Sequence, residues 1–306
     1  MPKTKSALAV SLEYYPVMAM ILLLRALPLR PARLLAAAFA RLCYYLDARH
    51  RVRSVQHLLH SGVAKNAAEA RRLAKANFRH LANVGVDIVK FDQYLNAENI
   101  AEHLTRSYDP AAEAVLNDPS RGIIMVSAHF GNWEISGLAC SILYRPILSV
   151  MRHFDNPKIG DYILSRRRQF RQTLQDKKSA LKPLLKALKA KQAVGMLCDQ
   201  HAGSLEGVET VFFGHPARTH ASPALLHFKT GAPIILGLAK RLDDNFHYEL
   251  IARGPITVEP SGDQAADVQR LAQAYTTEIE KMVASCPEQW LWSHRRWLDI
   301  NRKKRD

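Results

Sequence analysis

Cysteine is scarce in this chain of 306 residues: Cys43, Cys140, Cys198 and Cys286 lie far apart, and no C-x-x-C occurs. Their apolar or helix-like surroundings argue for reduced, buried thiols and a cytosolic catalytic face, and without paired Cys/His spacing no metal is expected. Glycine-rich signatures are missing too. Gly131 and Gly195 are isolated, no dinucleotide fingerprint or P-loop is present, and so no cofactor is expected. Neither a Gly/Pro/Ser-rich linker nor an internal repeat divides the chain. A single catalytic domain over 51–306 with an N-terminal helical extension over 1–50 is the simpler organisation.

Two further shortages bear on partners and compartment. Acidic residues number 28 against 43 Lys and Arg, a net charge of +15. That excess calls for nucleic acid, an acidic lipid surface or an acidic carrier protein. No zinc-finger, RRM-like or helix-turn-helix signature appears, so nucleic acid is supported by charge alone and is not expected. Long uncharged apolar runs are also lacking. Residues 6–27 are rich in Ala, Leu, Met and Val, but Glu13 and Arg25 confine the longest uncharged run to the eleven residues 14–24. A confident bilayer span needs roughly 20. No small-residue cleavage site follows. The segment therefore reads as an uncleaved anchor, either a marginal span or an interfacial helix with Tyr14 and Tyr15 at headgroup depth. The apolar stretch 34–46 either adds to that surface or is a buried helix of the catalytic domain.

What is present is an alternation of apolar strands and helix-like segments. Strands are predicted at 123–126, 147–152, 194–198, 233–239 and 248–252, and helices at 134–143, 157–174, 181–190, 223–230 and 265–285. A long helix over 64–91 is capped near Asn66. This predicts an α/β fold with a central sheet flanked by helices, behind an N-terminal helical membrane-associated extension. The sheet should be mixed, because the Asp243-Asp244-Asn245 turn suits a hairpin into 248–252. Between Lys158 and Lys191 eleven Lys/Arg face only Asp161 and Asp176. Leu181, Leu184, Leu185 and Leu188 recur there at helical spacing with Lys182, Lys186 and Lys189 on other faces, an amphipathic helix with a basic outer surface. The plainer alternative is a solvated helix face.

The most chemical segment is Ser127-Ala-His-Phe-Gly-Asn-Trp-Glu134, directly after the run Gly122-Ile-Ile-Met-Val126. A strand feeding Gly131 and Asn132 and then a helix places His129 at a strand's carboxyl end, where open α/β sheets bind ligands. If the turn carries His129 back toward Glu134, the carboxylate fixes the imidazole tautomer and leaves the other nitrogen free to take a proton. The plain alternative is a strand-end histidine bonded to backbone with Glu134 solvated.

His129-x-x-x-x-Glu134 within His-Phe-Gly-Asn-Trp-Glu resembles the H-x4-D/E motif of the bacterial lipid A acyltransferases, the late lauroyl/myristoyl branch of the lysophospholipid acyltransferase superfamily. The resemblance continues in order. Arg152 with Asp155-Asn156-Pro157 is similar to the family's R-x-x-D-N-P segment, and Arg167 falls near its following arginine. Asp199-Gln200, then Phe212-Phe213-Gly214-His-Pro-Ala217-Arg-Thr219, Lys229-Thr-Gly-Ala-Pro233, and Pro287-Glu-Gln-Trp-Leu-Trp-Ser-His-Arg-Arg-Trp297 resemble later blocks. Residues 168–181 depart from the family pattern.

The resemblance implies an O-acyltransferase of the inner (cytoplasmic) membrane, its catalytic face cytoplasmic. The donor would be acyl-acyl carrier protein, with acyl-CoA as the alternative, and the acceptor a hydroxyacyl chain of a lipid A precursor, a glycolipid. His129 would be the general base and Glu134 its orienting carboxylate. Arg152, Arg167, Asp199 and Arg218 are the expected substrate-binding residues, Arg152 as an oxyanion donor and Arg167 and Arg218 as phosphate clamps. Each arginine has a plainer reading as a salt bridge or surface charge, and Asp199 as a turn cap. The C-terminal Trp290 and Trp297, seven apart, either close the core as one helical face or join His294, Arg295 and Arg296 at a lipid-facing mouth. Related alternatives are transfer to a lysophospholipid, aminolipid or other glycolipid. A non-catalytic basic protein bound to an anionic membrane surface is the reading from another class.

Overall fold

The computed structural model describes residues 6–151, 155–168 and 170–298. Four helices come first: α1 (Ala7–Ala26), α2 (Leu29–Leu46), α3 (Ala48–His60) and α4 (Ala67–Tyr94). Then follow β1 (Leu104–Tyr108), α5 (Pro110–Asn117), β2 (Ile123–Ser127), α6 (Trp133–Leu143), β3 (Ile147–Met151), α7 (Pro157–Arg168) and β4 (Gln172–Asp176). The last third holds α8 (Leu181–Lys189), β5 (Ala193–Leu197), β6 (Gly207–Phe212), β7 (His215–His220), α9 (Ser222–Thr230), β8 (Ile234–Arg241), β9 (Tyr248–Arg253) and α10 (Gln264–Ser285).

Seven strands form one mixed sheet in the order β1-β9-β8-β2-β5-β3-β4. All neighbours are parallel except β8 and β9, which pair antiparallel across the turn that contains Asp243-Asp244-Asn245. The predicted α/β architecture with a mixed, helix-flanked sheet is therefore what the chain forms. Strand β2 explains its apolar sequence: Ile124 and Val126 join the core against α8, α9 and α10, while Ile123 and Met125 join residues of α5 and α6 on the other face. A strand covered on both sides is uniformly apolar.

Two expectations need correction. The helix predicted over 157–174 stops at Arg168, and residues 172–176 turn into the edge strand β4. Its polar Gln-Thr-Leu-Gln-Asp sequence carries little strand signal because only one neighbour, β3, pairs with it. Trp290 and Trp297 do not share a helical face: only Pro287–Gln289 forms a 3-10 turn, and the following residues are irregular. Both rings are nonetheless buried in the main core. Strands β1, β6 and β7 and helix α5 were not anticipated.

The N-terminal helices differ from one another. Pro16 lies inside α1 without ending it, and Ser6 caps its start. Its 20 residues are long and apolar enough to cross a membrane by length and composition. Helix α2 packs Ala32 and Ala36 against Val86 of α4 and leaves Leu34, Phe39, Leu42 and Leu46 exposed.

Candidate active site

Strands β2 and β5 are parallel neighbours with Ser127 opposite Leu197. Two residues beyond each strand end stand His129 and Asp199, so equal offsets in a parallel register bring them side by side. The Nδ1 of His129 lies 2.9 Å from Asp199 Oδ1, and the His129 backbone N–H donates to Asp199 Oδ2 at 2.9 Å. The indole N–H of Trp290 donates to that same Oδ2 at 2.7 Å. Burial pushes the Asp199 carboxyl up, but the positive charge His129 carries when its ring is protonated, its two hydrogen bonds and the Trp290 bond outweigh it and hold the group down at about 2. The carboxylate is ionised at any working pH.

That fixes the tautomer. An ionised carboxylate only accepts, so Nδ1 carries the proton. The amide Nε2 of Gln200 lies 3.4 Å from His129 Nε2 and donates to it, which again requires Nε2 to present its lone pair. The unprotonated nitrogen faces a cavity of about 600 Å³ at the carboxyl ends of β2, β3, β4 and β5, walled by Ser127, Trp133, Glu134, Met151 and Gln200 among others. The ring of Trp133 meets that of His129 edge-on at 5.1 Å.

The turn after His129 is stapled on several sides. Gly131 has φ 59°, and a Cβ there would lie 2.1 Å from the Ala239 carbonyl oxygen, so no other residue fits. Its N–H donates to Gln289 O at 3.0 Å, the Asn132 N–H to Ala239 O at 2.8 Å, and the Leu291 N–H to His129 O at 3.0 Å. Asn132 caps α6, its Oδ1 accepting from the N–H groups of Glu134 and Ile135. Asn132 thus shapes the turn, and the Trp133 ring packs edge-on against His129.

The expected site residues fare differently. His129 stands where it was predicted. The role expected of Glu134, a carboxylate on the imidazole, is filled at Nδ1 by Asp199, whereas Glu134 lines the cavity from the first turn of α6. Asp199, expected among the substrate-binding residues, stands hydrogen-bonded to His129 at 2.9 Å. Arg152 lies outside the described residues, directly after Met151 of the cavity wall. Arg167 falls in the last turn of α7, its side chain outside the described part. Arg218 sits on the β6–β7 hairpin and is not among the described residues that line the cavity.

Several residues in or behind the site escaped the sequence reading. Trp290 was seen as core, not as the donor that secures Asp199. Arg296, read as a surface cation, is buried: its Nη1 donates to Gln200 O at 3.1 Å and Arg218 O at 2.7 Å, and its Nη2 to Thr219 Oγ1 at 2.8 Å. Burial pulls this guanidinium down to about 10, opposed by Asp199. Gln200 was noted only as the neighbour of Asp199. The family blocks carried the one available signal, since Gln200, Trp290 and Arg296 all fall within them. Among the described residues no group of three His, Cys, Asp or Glu is placed to hold a metal ion.

Comparison with known proteins points to a family. Residues 1–299 match a family described as bacterial lipid A biosynthesis acyltransferase. The chain is 29% identical over 178 residues to the lipid A biosynthesis lauroyltransferase of Escherichia coli K12, covering 58% of this chain and 56% of that protein. It is 28% identical over 181 residues to the palmitoleoyltransferase of the same organism and to a lipid A biosynthesis acyltransferase of Shigella flexneri, again covering 58% and 56%. The chain thus spans just over half the length of these relatives.

Proposed function

The chain belongs to the bacterial lipid A biosynthesis acyltransferase family, and from that premise and the geometry at His129 we propose that it moves a fatty acyl chain from acyl-acyl carrier protein to a hydroxyacyl chain of a lipid A precursor. The observation that carries this reading is the histidine whose Nδ1 is held 2.9 Å from a buried carboxylate while Nε2 opens on a large cavity. An acceptor hydroxyl entering the cavity displaces the Gln200 amide from Nε2. As its oxygen attacks the thioester carbonyl, Nε2 takes the hydroxyl proton, and Asp199 stabilises the imidazolium that results. The tetrahedral oxyanion collapses, the carbon–sulfur bond breaks, and the imidazolium returns its proton to the departing thiolate. An ester and a free carrier thiol result.

Arg152 is assigned to the oxyanion, because it follows the cavity residue Met151 and a guanidinium offers two parallel donors. Glu134 remains a carboxylate of the cavity wall, and Arg167 and Arg218 remain candidate phosphate clamps. The acidic carrier is matched by the exposed Lys182, Lys186 and Lys189 of α8, whose Leu184 and Leu188 pack inward. Residues 1–50 supply the membrane contact, through the apolar α1 and the outer face of α2, with the catalytic face toward the cytoplasm.

Lipid mass spectrometry tests the whole reading, in a host lacking its own late lipid A acyltransferases and expressing wild type, His129→Ala, Asp199→Asn or Glu134→Gln. The expected result is one added acyl mass on lipid A with wild type, and transfer reduced by about 10²- to 10⁴-fold in the first two variants. A larger loss in Glu134→Gln than in Asp199→Asn would transfer the orienting role to Glu134. An acylated product in another lipid class would sink the lipid A acceptor and keep the base, and no lipid change with folded, membrane-bound protein would favour the non-catalytic reading.

A further inference from the structure

We propose that His80 and Asp87, on the inward face of α4, are positioning residues for the His129–Asp199 pair. The inference rests on the reading of His129 as base. Neither residue lines the cavity, and neither touches His129 or Asp199; both act through the turn between them.

Helix α4 buries Asn77, His80 and Asp87 at helical spacing among apolar neighbours such as Leu73, Val84 and Phe91. A buried polar side chain is unfavourable unless it is hydrogen-bonded, and apolar residues would fill this face without that demand. The partners of these three converge on the segments that build the site. His80 Nε2 lies 3.0 Å from the carbonyl oxygen of Gly131. A carbonyl only accepts, so the ring donates from Nε2, and it fixes the peptide that follows the glycine two residues after His129. The Asn132 amide Nδ2 donates to Asp87 Oδ2 at 3.4 Å.

That contact sets a direction. An amide can be turned either way, but with Oδ1 receiving the N–H groups of Glu134 and Ile135 it presents Nδ2, a donor only, to Asp87, whose carboxyl is pushed up by burial against the charges of Arg33 and Arg241. The first turn of α6 therefore starts at a fixed residue three places after His129. Arg33 of α2, at 2.5 Å, and Arg241 of β8, at 3.3 Å, supply the countercharge. Asn77 completes the arrangement on the other side: its Nδ2 donates to Trp290 O at 2.6 Å, and the Trp290 indole holds Asp199. One helix thus sets the base through its turn and the carboxylate through its clasp.

The test uses the full chain in detergent with dodecanoyl-acyl carrier protein and a lipid A precursor. His80→Phe keeps the ring's bulk and removes the donor, while His80→Gln keeps an Nε2 donor at similar reach. The expected outcome is a fall in kcat of about 10- to 100-fold for His80→Phe with KM within threefold, and kcat within threefold of wild type for His80→Gln. Arg33→Gln with Asp87→Asn together removes the ion pair without changing net charge, and should lower kcat about tenfold because the Asn132 amide loses its enforced direction. A purely structural role would lower thermal stability while leaving kcat per folded molecule unchanged, in both His80 variants alike. Folded His80→Phe with wild-type kcat overturns the role of His80, and the folded double variant with wild-type kcat overturns that of Asp87. A wild type inert toward every donor would sink the acyltransfer reading itself, and this inference with it.

Discussion

Helices α1 and α4 invert one another. The first carries almost nothing but apolar residues and turns them outward, with Leu8 71% and Leu12 67% exposed. The second is more polar along its length and turns Asn77, His80, Asp87 and Lys90 inward. Judged by hydropathy alone, α1 would be the core helix and α4 the surface helix. What separates them is the chemistry each one faces: α4 meets backbone carbonyls, an amide and two guanidiniums that demand hydrogen bonds, whereas α1 leaves Leu8, Leu12, Met20, Leu22 and Leu23 exposed. They meet most closely where Lys90 Nζ donates to the carbonyl oxygens of Arg25 and Leu27 at 3.1 and 2.8 Å and Arg25 pairs with Asp92 at 2.7 Å, contacts that close the carboxyl end of α1.

If that contrast is real, the heaviest single blow falls on α4. Asp87→Leu leaves Arg33 and Arg241 buried with one carboxylate fewer, and should lower stability by about 3–5 kcal/mol, read from the denaturant midpoint in detergent. A neutral outcome would mean that the inward face of α4 behaves as an ordinary apolar core.

Acidity gives the next largest effect. Burial pulls His80 of α4, and also His57 and His294, down to about 4. In the unfolded chain each would titrate near about 6.5. Between those values the unfolded state binds protons that the folded state refuses, so this stability is fully present above about 6.5 and is lost as pH falls toward 4. Unfolding near pH 5 should then take up about one to three protons, and His80→Phe should remove one of them. Asp199 has the opposite protonation logic and the same direction: depressed to about 2, its contribution is lost only as pH falls from about 4 through 2. A pH-independent unfolding midpoint between 7 and 4 would contradict the burial of these three rings.

The smallest effect on the fold belongs to α1. Leu8→Ser with Leu12→Ser should change stability in detergent by less than about 0.5 kcal/mol, as exposed positions do. The same pair should weaken sedimentation of the protein with vesicles of anionic phospholipid. Equal losses in both measurements would mean that α1 is packed like α4, and the contrast would fail.

How much of this was legible in the chain depends on where each signal resides. Strands β2 and β5 declared themselves because they are covered on both faces and therefore continuously apolar, and the Asp-Asp-Asn turn announced the antiparallel β8–β9 pair. The polar edge strand β4 read as an extension of α7. Hairpin β6–β7, which packs against α10 instead of joining the large sheet, gave no clear alternation. At the site, His129 was legible from its own strand and turn. Its partner was sought five residues away and stands seventy away, since proximity along the chain favoured Glu134 while proximity in space follows the β2–β5 register. Once those two strands are known to be parallel neighbours, the equal offsets of His129 and Asp199 do give the answer. The polar face of α4 carried no such sign, for its partners, backbone groups, the Asn132 amide and the guanidiniums of Arg33 and Arg241, are remote in sequence.

The closure of the site by Gln289, Trp290 and Leu291 also sets an order in time. A chain made from its first residue onward completes α1 and α4, then β2, then β5 with Asp199, while the indole and backbone groups that secure the pair do not yet exist. Until translation passes residue 291, Asp199 lacks the Trp290 indole, and the carbonyl of His129 and the N–H of Gly131 have no staple. An apolar first helix can settle against its surroundings long before that moment. The His129–Asp199 pair is thus secured last, so no partly made copy holds it with its full set of hydrogen bonds.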